Sequence, residues 1–277
     1  MRETSNRIRI ATYNIHKCCG LDRRVSPARI VNVLREIDAD IVALQEVVCV
    51  SNGVREYNQA CFFAEELAYE YCLGENRQLP GGTYGNVVLS RMPLRAIRNY
   101  NISWRKHEPR GCLRADIDLP NGDLLHVFNV HLGLAFTERR YQARQLVGPE
   151  ILTNPELQGA RIVLGDFNEW THGLASRLLA THLESVDLRH HIGQTKTYPG
   201  VLPLLQLDHI YFDPALQLER FTVHRSRTAL LASDHVPLVA DFLLEIEQRK
   251  GQLEGGKPPL IREEGKEEGP LLCAETD

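Results

Sequence analysis

Short apolar runs of strand length recur from Arg7 to Leu244, and most of them end on or beside an isolated polar residue. Arg7-Ile-Arg-Ile-Ala-Thr-Tyr-Asn-Ile15 alternates as a strand does. Ile41-Val-Ala-Leu44 reads as a short buried strand running into Gln45-Glu46. Further strands are expected over residues 85–90, 94–102, 112–119, 124–132, 161–164, 207–212, 218–224 and 236–244. Asn121-Gly122 lies between two of them and marks a hairpin. Helices are expected between these runs. Ser26-Pro27 supplies an N-cap and a first-turn proline ahead of Ile30, Val31, Leu34 and Ile37 at helical spacing. Residues 56–71 and 173–182 also read as helix, and Thr137 would cap another reaching about residue 152. No Pro/Ser-rich linker interrupts the series and no internal repeat is visible. Paired strands with interspersed helices imply two packed sheets with helices outside.

That body ends near residue 246. From residue 247 to 277 the chain turns to Gly, Glu, Lys and Pro, and too few apolar side chains remain to offset the entropy of ordering it. A disordered charged tail is expected there, beside one domain over residues 1–246. The tail's eight acidic and five basic residues carry most of the formal net charge of −4, leaving the body nearly neutral. A global basic excess that would grip nucleic acid by charge alone is thereby excluded. The polar N-terminus has no apolar signal core, and no run approaches the roughly 18 apolar residues of a membrane helix. The expectation is a cytoplasmic monomer. Seven cysteines (Cys18, Cys19, Cys49, Cys61, Cys72, Cys112 and Cys273) include no CxxC pair, so free thiols are expected rather than a zinc site.

The candidate chemistry sits where strands end. Asn14, Glu46, His131, Asp166 with Asn168, Asp208, and Asp234-His235 all border apolar runs. Taken singly, each has an ordinary structural use: a turn, a cap, a satisfied histidine. Taken together, converging carboxylates beside buried strands need compensation, and a hard divalent cation supplies it most simply.

In combination these residues resemble the endonuclease/exonuclease/phosphatase superfamily. Thr12-Tyr-Asn14, Leu44-Gln-Glu46, Gly85-Asn-Val-Val-Leu-Ser-Arg91, Asn129-Val-His-Leu132, Gly165-Asp-Phe-Asn168, Leu207-Asp208 and Ser233-Asp-His235 carry the resemblance, in order, from about Arg7 to Leu244. It implies a DNase I-like fold, a four-layer α/β/β/α sandwich of two mostly antiparallel sheets, and metal-dependent hydrolysis of a phosphoester. It also implies roles. Glu46 would be the principal metal carboxylate, with Asn14 beside it and Asp234 in the same region. Magnesium suits such ligands, with manganese as the alternative. Asp166 would orient or deprotonate the attacking water, and Asn168 would donate to a phosphate oxygen. His235 would face the phosphate with Asp208 as its carboxylate partner, and His131 takes the place of a second active-site histidine.

Substrate is less constrained, because the superfamily it resembles spans nucleases, abasic-site endonucleases, sphingomyelinases, inositol-phosphate phosphatases and deadenylases alike. Gln206 stands where abasic-site endonucleases carry a basic residue, and no Trp precedes it, which disfavours that branch. The leading expectation is a phosphodiesterase acting on nucleic acid or a phospholipid-related ester. The alternatives are a phosphomonoesterase on a small soluble substrate and a non-catalytic binding module. Lys17, Asn86 and Arg110 are candidates for substrate contact, as is His16, and Trp170 for a substrate wall. Lys17 reads equally well as a solvated loop charge. Trp104 fits core packing as well as base stacking, and Arg139, Arg140 and Arg144 fit a solvated helix face better than a backbone-binding patch.

Overall fold

Burial of strands on both faces dictates the architecture seen in the computed structural model, which describes residues 7–50, 54–169, 173–186, 196–200, 202 and 204–244. Twelve strands form two six-stranded sheets. The first sheet has the order β11-β12-β1-β2-β4-β3. Its strands are β1 (Arg7–Asn14), β2 (Ile41–Val50), β3 (Glu70–Leu79), β4 (Gly82–Ser90), β11 (Gln217–Val223) and β12 (Leu238–Leu243). The second has the order β5-β6-β7-β8-β10-β9. It comprises β5 (Leu94–Asn101), β6 (Gly111–Asp118), β7 (Leu124–His131), β8 (Ala160–Asp166), β9 (Glu184–Ser185) and β10 (Asp208–Phe212). Each sheet is antiparallel except for one central pair, β1 with β2 and β7 with β8.

Three apolar layers hold the sandwich. Between the sheets, Ile10, Ile41 and Val88 meet Leu113, Val127, Ile162 and Ile210, and the Phe212 and Phe242 rings meet edge to face across the gap at 5.1 Å. Outside the first sheet lie α1 (Pro27–Ile37), α2 (Gln59–Leu67) and a short helix at Arg227–Ala232, here α5. Outside the second lie α3 (Phe136–Leu146) and α4 (Leu174–Leu179). The four-layer α/β/β/α arrangement is therefore present.

Helix α1 starts as expected, with the Ser26 hydroxyl accepting from the Arg29 N–H and Pro27 in the first turn. Three expectations need correction. The helix expected over 56–71 stops at Leu67, where Ala68 turns left-handed, and β3 begins at Glu70. As an edge strand paired only with β4, β3 has one partner and no clean alternation, so periodicity hides it. Thr137 does not cap α3: Ala135 is the N-cap, Thr137 lies inside the first turn, and the helix ends at Leu146. Helix α5 was not foreseen, although Ser226 caps it by accepting from the Ala229 N–H. The six described cysteines are free thiols. No helix among the described residues is long and apolar enough to cross a membrane. Residues 247–277 and Trp170 lie outside the described residues.

Candidate active site

The two parallel pairs bring three strand ends and the middle of β2 to one end of the sandwich; β2 does not end at Gln45-Glu46 as expected but continues through a bulge to Val50. There Asn14 from β1, Glu46 from β2, His131 from β7 and Asp166 from β8 line one cleft of about 370 Å³. Lys17, Arg110, Asn168, Asp234 and His235 line it too.

Local backbone strain aims several of these groups. Glu46 sits at φ 60°, where the β2–β4 register shifts between Leu44 and Val47, and this bulge turns its carboxylate into the cleft. Asn168 is also left-handed (φ 50°), a conformation asparagine tolerates, and its side-chain amide donates to Leu132 O at 2.9 Å. His16, Lys17 and Cys18 are left-handed in succession, which lays His16 Nδ1 3.0 Å from Asp234 Oδ1 and Lys17 Nζ 3.5 Å from Glu46 Oε2. Such strain persists only where the surroundings impose it.

Asp166 is the meeting point. Its Oδ1 accepts from the Asn168 N–H at 2.8 Å, and its Oδ2 accepts from the Asn14 amide at 2.9 Å. The same Oδ2 lies 3.6 Å from Nε2 of both His131 and His235. His235 Nδ1 is 2.8 Å from Asp208 Oδ2, an orienting dyad beneath the cleft, and the Tyr198 ring packs on the imidazole at 5.0 Å. Burial alone would keep His235 neutral, but Asp208 and then Asp166 outweigh it and push its pKa up to about 10. Burial holds the Asp166 carboxyl above its usual range, against the pull of His235 and the two donated hydrogen bonds. His131 is driven well below the ordinary histidine value by burial first and then by Arg110. Arg110 NH1 lies 3.4 Å from His131 Nδ1, and a guanidinium only donates. The neutral ring therefore keeps its proton on Nε2, toward Asp166.

Two groupings could hold a metal. Asp166, Asp208 and His235 offer ligand atoms within 4.8 Å of one another. Asp208 holds His235 Nδ1, so within this set His235 would meet a cation through Nε2, beside Asp166 Oδ2. The oxygen set of Glu46, Asn14 and Asp234 is the harder one: two carboxylates line the cleft beside an amide oxygen, Asn14 Oδ1, that accepts from the His16 N–H at 3.0 Å.

The sequence candidates divide cleanly by placement. Arg110 is buried at the cleft, paired with Glu108 at 2.9 Å. Asn86 does not reach it. Its amide donates to Gly111 O (3.2 Å) and Asn129 O (3.3 Å) in the inter-sheet space, so it ties the sheets together rather than contacting substrate. Arg139 is buried, donating to Gly133 O and Leu134 O, so only Arg140 and Arg144 of that trio face outward. Tyr84, Glu108, Leu134, Tyr198 and Leu205 line the cleft without having been singled out individually. Tyr84 shares a strand face with Asn86 two residues on, which was the available signal.

The profile of the Endonuclease/Exonuclease/phosphatase family matches residues 11–235. The chain is 32% identical over 250 residues to the uncharacterized protein YbhP of Escherichia coli (strain K12), covering 85% of this chain and 96% of that one. A solved endonuclease/exonuclease/phosphatase from Beutenbergia cavernae superposes with a TM-score of 0.68 at 23% identity, covering 86% of this chain and 72% of that one. The mannosyl-6-phosphatase of Bacteroides thetaiotaomicron does so with a TM-score of 0.68 at 17% identity, covering 85% and 99%. At these identities the two structures share the fold.

Proposed function

The chain belongs to the endonuclease/exonuclease/phosphatase family, whose members are phosphoester hydrolases, and from that premise we propose that it is a divalent-metal-dependent phosphodiesterase. One observation carries the reading: a single carboxylate, Asp166, stands between a charged and a neutral histidine, with Asn14 and Glu46 alongside.

Glu46, Asn14 and Asp234 would hold the cation, magnesium or manganese, which when bound neutralises phosphate oxygens and charge on the leaving oxygen. The rest falls to the protein. Asp166, with a raised pKa, accepts a proton from water as the new O–P bond forms and the bond to the leaving oxygen breaks. His235, fixed by Asp208, donates from Nε2 to a non-bridging phosphate oxygen. Neutral His131 donates from Nε2 and orients the same water or phosphate. The free N–H of the Asn168 amide completes the oxyanion contacts.

A diester is favoured over a monoester by charge. Of the cleft's cations, Lys17 and Arg110 are already paired with Glu46 and Glu108, and the His235 imidazolium is already held by Asp208. That leaves little to neutralise a dianionic monoester, while a monoanionic diester needs less.

The test is turnover of bis(p-nitrophenyl) phosphate against p-nitrophenyl phosphate, with Mg²⁺, Mn²⁺ or a chelator. The diester should be preferred and the chelator should abolish turnover. Asp166→Asn and His235→Ala should each lower kcat by about 10²–10⁴ while remaining folded. Wild-type turnover by folded His235→Ala would sink the assignment, and preference for the monoester would turn it to a phosphomonoesterase.

A further inference from the structure

The mouth of the cleft carries large side chains that water does not favour. Leu134 is 74% exposed and Phe136 59%, both where β7 leads into α3. At the same mouth, Leu202 is 66% exposed and Leu204 56%. In the chain they lie between Tyr198 and Leu205, both of which line the cleft. Described neighbours are tied to the site: Leu204 N–H donates to Tyr198 O at 2.8 Å, and Gly200 N–H to Asp234 O at 2.6 Å. One exposed leucine is ordinary, but several around one functional opening mark an interaction surface.

Basic side chains flank them. Arg140 and Arg144 follow Phe136 along the exposed face of α3, with Tyr141 between them. Arg105 and Lys106 are exposed in the β5–β6 loop, and the Arg105 guanidinium lies 4.7 Å over the Trp104 ring. His107 Nδ1 pins this loop to α3 through Glu138 Oε2 at 3.2 Å. The nearby acids are engaged internally, Glu138 with His107 and Glu108 with Arg110.

We propose that this rim docks the cleft onto a bilayer bearing anionic headgroups. Resting on the phosphodiesterase reading, the proposal makes the substrate a phosphodiester held in a lipid headgroup. Leucine and phenylalanine tips reach the acyl boundary while arginine, lysine and the indole sit among headgroups, the division of labour found on interfacial surfaces. A nucleic acid fits less well. Bases stack on aromatic faces, which Phe136 and Trp104 supply, but the three exposed leucines offer none.

The test is co-sedimentation of the full chain with phosphatidylglycerol-containing vesicles against pure phosphatidylcholine vesicles. Binding should favour the anionic vesicles and weaken with salt. The triple variant Phe136→Ser/Leu202→Ser/Leu204→Ser should lower affinity by about tenfold or more. Arg140→Glu/Arg144→Glu should lower it as well. Both variants should turn over soluble bis(p-nitrophenyl) phosphate within about twofold of wild type, since none of these residues touches the reacting groups. Wild type that fails to sediment, or a triple variant that binds as wild type does, overturns the proposal. So does an oligonucleotide bound in preference to vesicles and lost only in the arginine variant. Vesicle binding without soluble-diester turnover would leave the docking surface standing and fell the phosphodiesterase reading instead.

Discussion

His131 and His235 are the same side chain held in opposite charge states at equal distance, 3.6 Å, from one carboxylate oxygen. Their neighbours make the difference: Arg110 faces the first and Asp208 the second. This carries a pH signature in stability. The folded pKa of His235 stands above its unfolded value, so the pair's stabilisation is whole below about pH 6.5 and fades as pH rises through about 10. Asp208→Asn should therefore lower unfolding free energy by about 3 kcal/mol near pH 6. In denaturant titrations that deficit should shrink steadily toward pH 10. A deficit of constant size across the range would mean that Asp208 acts through packing rather than charge. At this scale the polar residues were legible because each stood alone among apolar neighbours, as Asp166 does after Ile162-Val-Leu164. Charge state was not, because it depends on which partner the fold supplies. The placement of Asn86 between the sheets was hidden for a related reason. Strand β4 is buried on both faces, so a polar residue in it can serve the cleft or the inter-sheet space, and spacing does not say which.

At the level of elements, strand β8 delivers Asp166 only because Gly165 precedes it. Gly165 has φ 142°, and a Cβ there would lie 1.9 Å from Val130 O on the neighbouring strand. Gly122, in the β6–β7 hairpin turn, also has positive φ (91°), but a Cβ there would meet nothing within 4 Å. The two glycines separate conformational strain from collision. Gly122→Ala should destabilise by about 1 kcal/mol and leave turnover intact. Gly165→Ala should destabilise by about 3 kcal/mol or more and lower diester turnover with it. Equal losses in thermal denaturation would show that the close approach to Val130 does not fix the strand end. Helix α1 and the β6–β7 hairpin were legible from caps and turns. The unread elements are two edge strands, β3 and the two-residue β9, and the six-residue helix α5, where local pattern is weakest and tertiary contact decides.

Across the whole molecule, one buried bridge couples the sheets directly under the cleft. Asn129 of the second sheet donates to Leu44 O and Val87 O of the first, both at 2.9 Å, and accepts from the Gln45 amide at 2.8 Å. These contacts flank the bulge that presents Glu46. Asn129→Ala would take a donor from two buried carbonyls, while the Gln45 amide keeps Thr12 Oγ1 and Ala43 O, so stability should fall by about 3 kcal/mol. Because the bulge loses its support, the Mg²⁺ concentration needed for half-maximal turnover should also rise. A loss of stability with unchanged metal requirement would confine the bridge to holding the sheets together. The bridge could not be read from sequence, since it joins residues 85 apart that no periodicity links.

The strand orders also say something about how the molecule is made. Strands β3 to β10 follow one another without needing anything later, and the second sheet is built from one unbroken stretch of chain. The first sheet is not. Strand β1 lies between β2 and β12, with Arg7 opposite Leu243. During synthesis the earliest strand is therefore left with one open edge until the last has emerged, a contact of very long sequence separation and hence slow to form. The cleft inherits that delay, because Asn14 ends β1 while Asp234 and His235 lead into β12. The reactive centre is closed by the last strand to join the sheets, so no polypeptide made only as far as β11 can present it whole.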